Sequence, residues 1–93
     1  MLVVSYDFES DKQRARFARF LERYGYRIQY SVFQIRDSQR VLQNILTEVE
    51  LEYKKHFTGA DSIIIFRLCE GCKKNIKRYG YAKHEESEVI FIT

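Results

Sequence analysis

The sequence contains no proline and only four glycines in 93 residues. A chain so poor in both is not collagenous, not a flexible linker and not low-complexity. It also lacks any apolar run near the roughly 20 residues that a membrane-spanning helix requires. Its first ten residues, MLVVSYDFES, have no basic patch ahead of the apolar stretch and run directly into acidic side chains. That pattern is not a secretory signal. These shortages predict a soluble cytoplasmic protein with no membrane partner. The length allows one domain, spanning 1–93.

Cysteine is scarce too, limited to Cys69 and Cys72 in LCEGC. A structural zinc site usually takes four ligands, and only His56 and His84 are left to complete one. Cys69 follows an apolar run, as a redox pair would, but the rest of a thioredoxin-like pattern is missing. The pair reads as two semi-buried thiols in a tight connection. His56 and His84 lie in polar surroundings and read as surface residues. No Gly-rich phosphate loop, HExxH or Ser/His/Asp arrangement is present. Charge of one sign is also in short supply, with 16 Lys and Arg against 13 Asp and Glu and a net charge of +3. Such a balance permits nucleic-acid binding without arguing for it.

What is present is a globular mixture, 45% hydrophobic and 31% charged. Leu2 to Tyr6 form a β-branched and aromatic run that reads as a first strand ending at Asp7. Ser10 and Gln13 match a capping box, in which each side chain satisfies the other's backbone N–H. Phe17, Phe20, Leu21 and Tyr24 then recur at helical spacing, and Gly25 stands where a C-terminal cap belongs. Residues 26–35 read as strand, twice the usual length, with a bend near Gln29 to Ser31 that would make two. Asp37 and Ser38 offer caps to a second helix with an apolar stripe of Leu42, Ile45, Leu46, Val49 and Tyr53, ending before Gly59. Residues 62–68 (SIIIFRL) read as a buried strand, 75–81 as a weaker one, and 89–93 (VIFIT) as a strong C-terminal one. This order predicts an α+β, ferredoxin-like βαββαβ sandwich with an extra C-terminal strand. Two helices cover one face of such a sheet and leave the other open. Along the second strand region Arg27, Gln29 and Ser31 alternate with Ile28, Tyr30 and Val32, giving a polar and an apolar side. The open face, together with a strand available for a neighbour's edge, points to a homodimer.

The charges are unevenly placed. Lys12, Arg16, Arg19 and Arg23 fall at helical spacing on one stripe, well separated from the apolar one. Of the six basic residues Lys12, Arg14, Arg16, Arg19, Arg23 and Arg27, five are Arg, the side chain suited to bidentate phosphate contact. A second basic group is Lys73, Lys74, Lys77 and Arg78, while acidic residues gather at Glu48, Glu50, Glu52 and at Glu85, Glu86, Glu88. A solvated helix face is the plain alternative for the stripe. Asp7 is the one carboxylate placed like a catalytic group, although a strand-end Asp also serves as a turn residue. One carboxylate is a poor Mg²⁺ site; two copies of Asp7 across a two-fold axis repair the deficit.

The strand ending Ser5-Tyr6-Asp7, the Arg-rich helix, the block YGYRIQYSVF at 24–33 and DSIIIFRLCEGC at 61–72 together resemble the CRISPR-associated protein two family. The resemblance covers nearly the whole chain, and YGYRIQYSVF is its specific part. It implies a homodimer of ferredoxin-like subunits whose C-terminal strand packs on the partner subunit. It implies a part in acquiring new spacers, with the dimer bridging the CRISPR integrase and touching duplex DNA. It also implies a metal-dependent endonuclease, using Mg²⁺ or another divalent cation on single-stranded RNA or double-stranded DNA. By position, Asp7 matches the metal-binding aspartate, one from each subunit. Tyr6, Arg14, Arg16, Arg27 and Phe33 match its neighbours in the motif, with Tyr6, Arg16 and Arg27 carried as catalytic and Phe33 as structural. The alternatives are a toxin-like ribonuclease of related fold and a purely architectural DNA-binding dimer.

Overall fold

Each helix opens on a serine. Ser10 accepts a hydrogen bond from the Gln13 backbone N–H at 3.2 Å and starts α1, Asp11–Leu21. Ser38 accepts one from Val41 at 3.3 Å and starts α2, Gln39–Glu48. Only half of the expected capping box forms at α1, because the Gln13 side-chain oxygen is buried without a partner among the described residues. The computed structural model describes residues 1–69, 71, 77 and 79. The strand expected at 89–93, five of the seven residues of that at 75–81, Cys72, His84, the acidic group at 85–88 and most of the second basic group lie outside the described residues.

Four strands, β1 (Leu2–Asp7), β2 (Gly25–Gln29), β3 (Val32–Ile35) and β4 (Ser62–Arg67), form one antiparallel sheet in the order β2-β3-β1-β4. This is the ferredoxin-like α+β arrangement, with both helices on one face. Alternation along β1 sends Leu2, Val4 and Tyr6 to the helix side and Val3, Ser5 and Asp7 to the other. Leu2, Val4, Tyr6 and Phe8 accordingly join Phe17, Phe20 and Leu21 of α1, Phe33 and Ile35 of β3, and Val41, Ile45 and Tyr53 in the main core. That core is strongly aromatic: the Phe17 ring stands edge-on to Tyr6 at 5.2 Å and to Tyr53 at 4.8 Å. On the opposite face Met1, Val3 and Ile28 form a smaller cluster with Tyr26, Val32 and Leu68 beside it.

Several expectations are corrected. Gly25 does not cap α1; it is the first residue of β2, and a Cβ there would strike the Gln34 carbonyl, so close strand approach is what requires glycine. Tyr24 lies past the helix end, in the turn, with its ring edge-on to Phe20. The long strand does divide, at Tyr30 and Ser31. The alternation expected through it fails because the β2–β3 register shifts between Arg27 and Gln29. No non-glycine residue among those described has a positive φ, so this two-residue turn is not one of the primed turns that match strand twist, and the bulge takes up the mismatch.

In α2 the stripe includes Val41, while Leu46 is 39% exposed. Val41 and Ile45 are four residues apart on the buried line, and Leu46, one residue beyond Ile45, is turned about 100° from it. Helix α2 then continues into a π-helical turn, Val49–Tyr53, and a 3₁₀ turn, Lys54–His56. β4 is not buried on both sides. Ile63 and Ile65 pack on the core, but Ile64 and Phe66 stand 51% and 45% exposed on the face that α1 and α2 do not cover. Cys69, just beyond β4, is exposed rather than semi-buried.

Candidate functional site

Asp7 ends β1 opposite Ser62 of β4 and is exposed on the open side of the sheet. It takes no part in the ion pairs of the described residues. Two other carboxylates fasten the loops next to it. Asp61 accepts hydrogen bonds from the backbone N–H groups of Glu9 at 2.9 Å and Thr58 at 3.0 Å. Those two donors, Glu9's first, hold its pKa below the usual carboxylate value. Glu9 in turn accepts from Ala60, and Gly59, at φ 53°, leaves the space the Glu9 carboxylate occupies. The strand end carrying Asp7 is thus held between two tied loops. Among the described residues no three His, Cys, Asp or Glu side chains cluster as metal ligands, so Asp7 fits a hard divalent cation only as half of a donor set.

On the other side of the sheet, Tyr6, Asp11, Arg14, Ala15, Ala18, Arg27 and Tyr30 line a cleft of about 180 Å³. It exists because α1 turns two alanines toward the β2–β3 turn where larger residues would fill the space. Tyr6 is buried at its base, and burial raises the phenol's pKa, with Arg27 partly opposing. Arg14 is committed, donating to the Asp11 carboxylate at 2.5 Å and to the Phe8 carbonyl at 2.7 Å. Arg27 lies with its guanidinium 5.4 Å above the Phe33 ring and has no carboxylate partner among the described residues. The bulge that follows it is the kind of irregularity that re-aims a side chain.

The basic stripe is less separate from the apolar face than its spacing predicts. Lys12 and Arg19 are exposed, but Arg23 lies over the Phe20 ring at 5.9 Å. Arg16 lies over Tyr53 at 5.1 Å and pairs with Glu52 at 3.3 Å. The π-helical turn brings Glu52 and Tyr53 to α1, so long arginine stems cover the edge of the core.

The sequence-derived residues therefore fall into three places. Tyr6, Arg14 and Arg27 meet in the cleft, above the buried Phe33. Lys12, Arg16, Arg19 and Arg23 form a flank of α1. Asp7 is on the opposite sheet face from the cleft, so within one chain it does not join Tyr6, Arg16 and Arg27. Asp11, Ala15, Ala18 and Tyr30 were missed as cleft residues. The available signal was Tyr30, an aromatic side chain in a turn where Gly, Asn or Asp is usual.

The model of the CRISPR associated protein Cas2 family matches residues 1–76. A Methanospirillum hungatei protein named CRISPR-associated endoribonuclease Cas2 2 is 34% identical over 91 residues, covering 96% of both chains. A Chloroflexus aurantiacus protein named CRISPR-associated endoribonuclease Cas2 1 is 30% identical, covering 97% of this chain and 96% of its own. The crystal structure of Streptococcus pyogenes Cas2 at pH 6.5 superposes with a TM-score of 0.68 at 23% identity, covering 85% of this chain and 98% of that one. No helix among the described residues is long and apolar enough to cross a membrane.

Proposed function

The chain belongs to the Cas2 family of CRISPR-associated proteins, and from that premise we propose a homodimeric nucleic-acid-binding protein of CRISPR adaptation with metal-dependent endonuclease chemistry. Its substrates are single-stranded RNA or duplex DNA, and its protein partner is the CRISPR integrase. The Methanospirillum and Chloroflexus relatives are named endoribonucleases, which supports the nuclease part. The open sheet face carries the dimer. Exposed Ile64 and Phe66 lie on it near the Met1, Val3 and Ile28 cluster, and Asp7 is on the same side. Apposing two such faces removes this apolar surface from water and brings two Asp7 strand ends toward one axis.

Two carboxylates near an axis repel each other unless a cation lies between them. Asp7 from each subunit supplies hard oxygen donors suited to Mg²⁺. A divalent ion bound there supplies charge neutralisation at a phosphate and a more acidic water. Lys12, Arg19 and Arg23 hold the phosphate backbone along α1, while Arg16 is paired with Glu52. Arg27, with no carboxylate partner among the described residues, would stabilise added negative charge on a phosphate at the cleft. A purely architectural DNA-binding dimer is the second reading, and the separation of Asp7 from Tyr6, Arg14 and Arg27 onto opposite sheet faces favours it.

The deciding experiment pairs Mg²⁺-dependent cleavage with spacer integration by the cognate integrase, for wild type and Asp7→Asn. The nuclease reading expects cleavage to vanish while dimerisation and duplex binding persist. Undiminished cleavage by Asp7→Asn refutes the assignment of Asp7. Normal integration with cleavage abolished establishes the architectural reading.

A further inference from the structure

The geometry points to the cleft between α1 and the β2–β3 turn as a subsite for one unstacked nucleotide of a single-stranded end or stretch. This rests on the nucleic-acid reading above and adds to it a distinction between paired and unpaired strands. Three chemically different groups converge there. Tyr30 is 69% exposed and lines the cleft, contributing an aromatic ring there. Arg27, resting on Phe33 and without a carboxylate partner among the described residues, offers an uncommitted guanidinium for a phosphate. Asp11, held by Arg14, fixes a carboxylate acceptor at the mouth. An aromatic ring, a cation and an acceptor match the face, the phosphate and the amine-bearing edge of one nucleotide.

Size supports the same assignment. A volume of about 180 Å³ is below the several hundred Å³ of pockets that enclose a drug-sized ligand or cofactor. Bases within a duplex are stacked on each other and present no free face to a tyrosine. Only an overhang, a splayed end or a single strand satisfies Tyr30 and Arg27 together. Ala15 and Ala18 make the opposite wall low enough to admit a ring.

The test uses the full chain and two probes of identical sequence: a duplex with a short 3′ overhang carrying 2-aminopurine, and a blunt duplex carrying it internally. Wild type is expected to quench the overhang probe and leave unchanged the emission of the blunt one, whose 2-aminopurine is already dimmed by stacking in the duplex. Tyr30→Leu should abolish that quenching and weaken overhang binding about tenfold, the scale of one base–aromatic contact. Its blunt-duplex affinity should stay within about twofold, since no stacking is lost there. Ala15→Met fills the cleft from an exposed helix position while leaving Tyr30 itself unsubstituted, and should give the same pattern. Both sites are exposed, so thermal melts should match wild type. Quenching that survives both substitutions overturns the subsite, as does equal weakening on both probes. Failure of wild type to bind either probe overturns the nucleic-acid reading and the subsite with it, so the two failures are distinguishable.

Discussion

Replacing Glu52 with Gln removes the carboxylate that lies 3.3 Å from the Arg16 guanidinium while leaving Arg16 over the Tyr53 ring. Both partners are about two-fifths exposed, at 40% and 41%. The pair therefore adds little to stability, about 1 kcal/mol or less. Its effect on the proposed duplex binding should be larger. An arginine already neutralised by a carboxylate displaces few counterions when it meets a phosphate, whereas a freed one adds a full contact. Each phosphate neutralised on duplex DNA changes the slope of log K against log salt by about 0.9. Glu52→Gln should therefore steepen the slope by about that amount and, across a roughly fourfold drop in salt, add a further factor of about 3.5 in affinity. Arg16→Gln alone should shift the slope by much less than Arg19→Gln. Fluorescence anisotropy with a labelled duplex over a salt series measures all three. Glu50→Gln serves as control, since it makes the same change in net charge but releases Lys54 instead. An unchanged slope in Glu52→Gln, together with a loss of about 0.9 in Arg16→Gln, refutes the reasoning, because Arg16 would then already be free for DNA.

Phe66→Glu places a charge on the open sheet face, where Phe66 is 45% exposed and already tolerates solvent. The monomer should remain folded while sedimentation shows the dimer dissociating; a dimer that persists refutes use of this face. Asp61 has a depressed folded pKa, so its stabilising contribution is complete above its unfolded pKa and is lost as pH falls through the lower folded value. Asp61→Asn should lower the melting temperature at neutral pH, and the gap to wild type should close in strong acid. A gap independent of pH refutes the role of the charge.

Local features carried the correct readings. The Ser10 and Ser38 caps act within three residues, and the division of the long strand follows from chain length alone. The ferredoxin-like fold class was legible in the succession of strands and helices. Contacts across long sequence separations were not legible. Arg16 and Glu52 are 36 residues apart, so nothing in the spacing of α1 shows that one member of the stripe is already paired. Continuous apolar runs misled for another reason: SIIIFR pattern-matches a strand buried on both sides, but the only helices among the described residues cover one face. Asp7 was found by its position in a motif, yet only strand alternation shows that it faces away from Tyr6 and Arg27.

An α-helix turns about 100° per residue, so positions four apart drift about 40° around its axis at every step. Ile45, Val49 and Tyr53 are such positions, and yet Ile45 and Tyr53 are both fully buried and Val49 packs on the same core. The π-helical turn winds more slowly per residue and removes the drift before Tyr53 arrives. The extra length in that turn therefore works as a phase correction between two helices that share no local sequence. Deleting one residue from 49–53 would leave the composition of the surface almost unchanged while rotating Glu52 and Tyr53 away from Arg16. The charge that α1 presents to its surroundings is in this way set by the winding of a different helix.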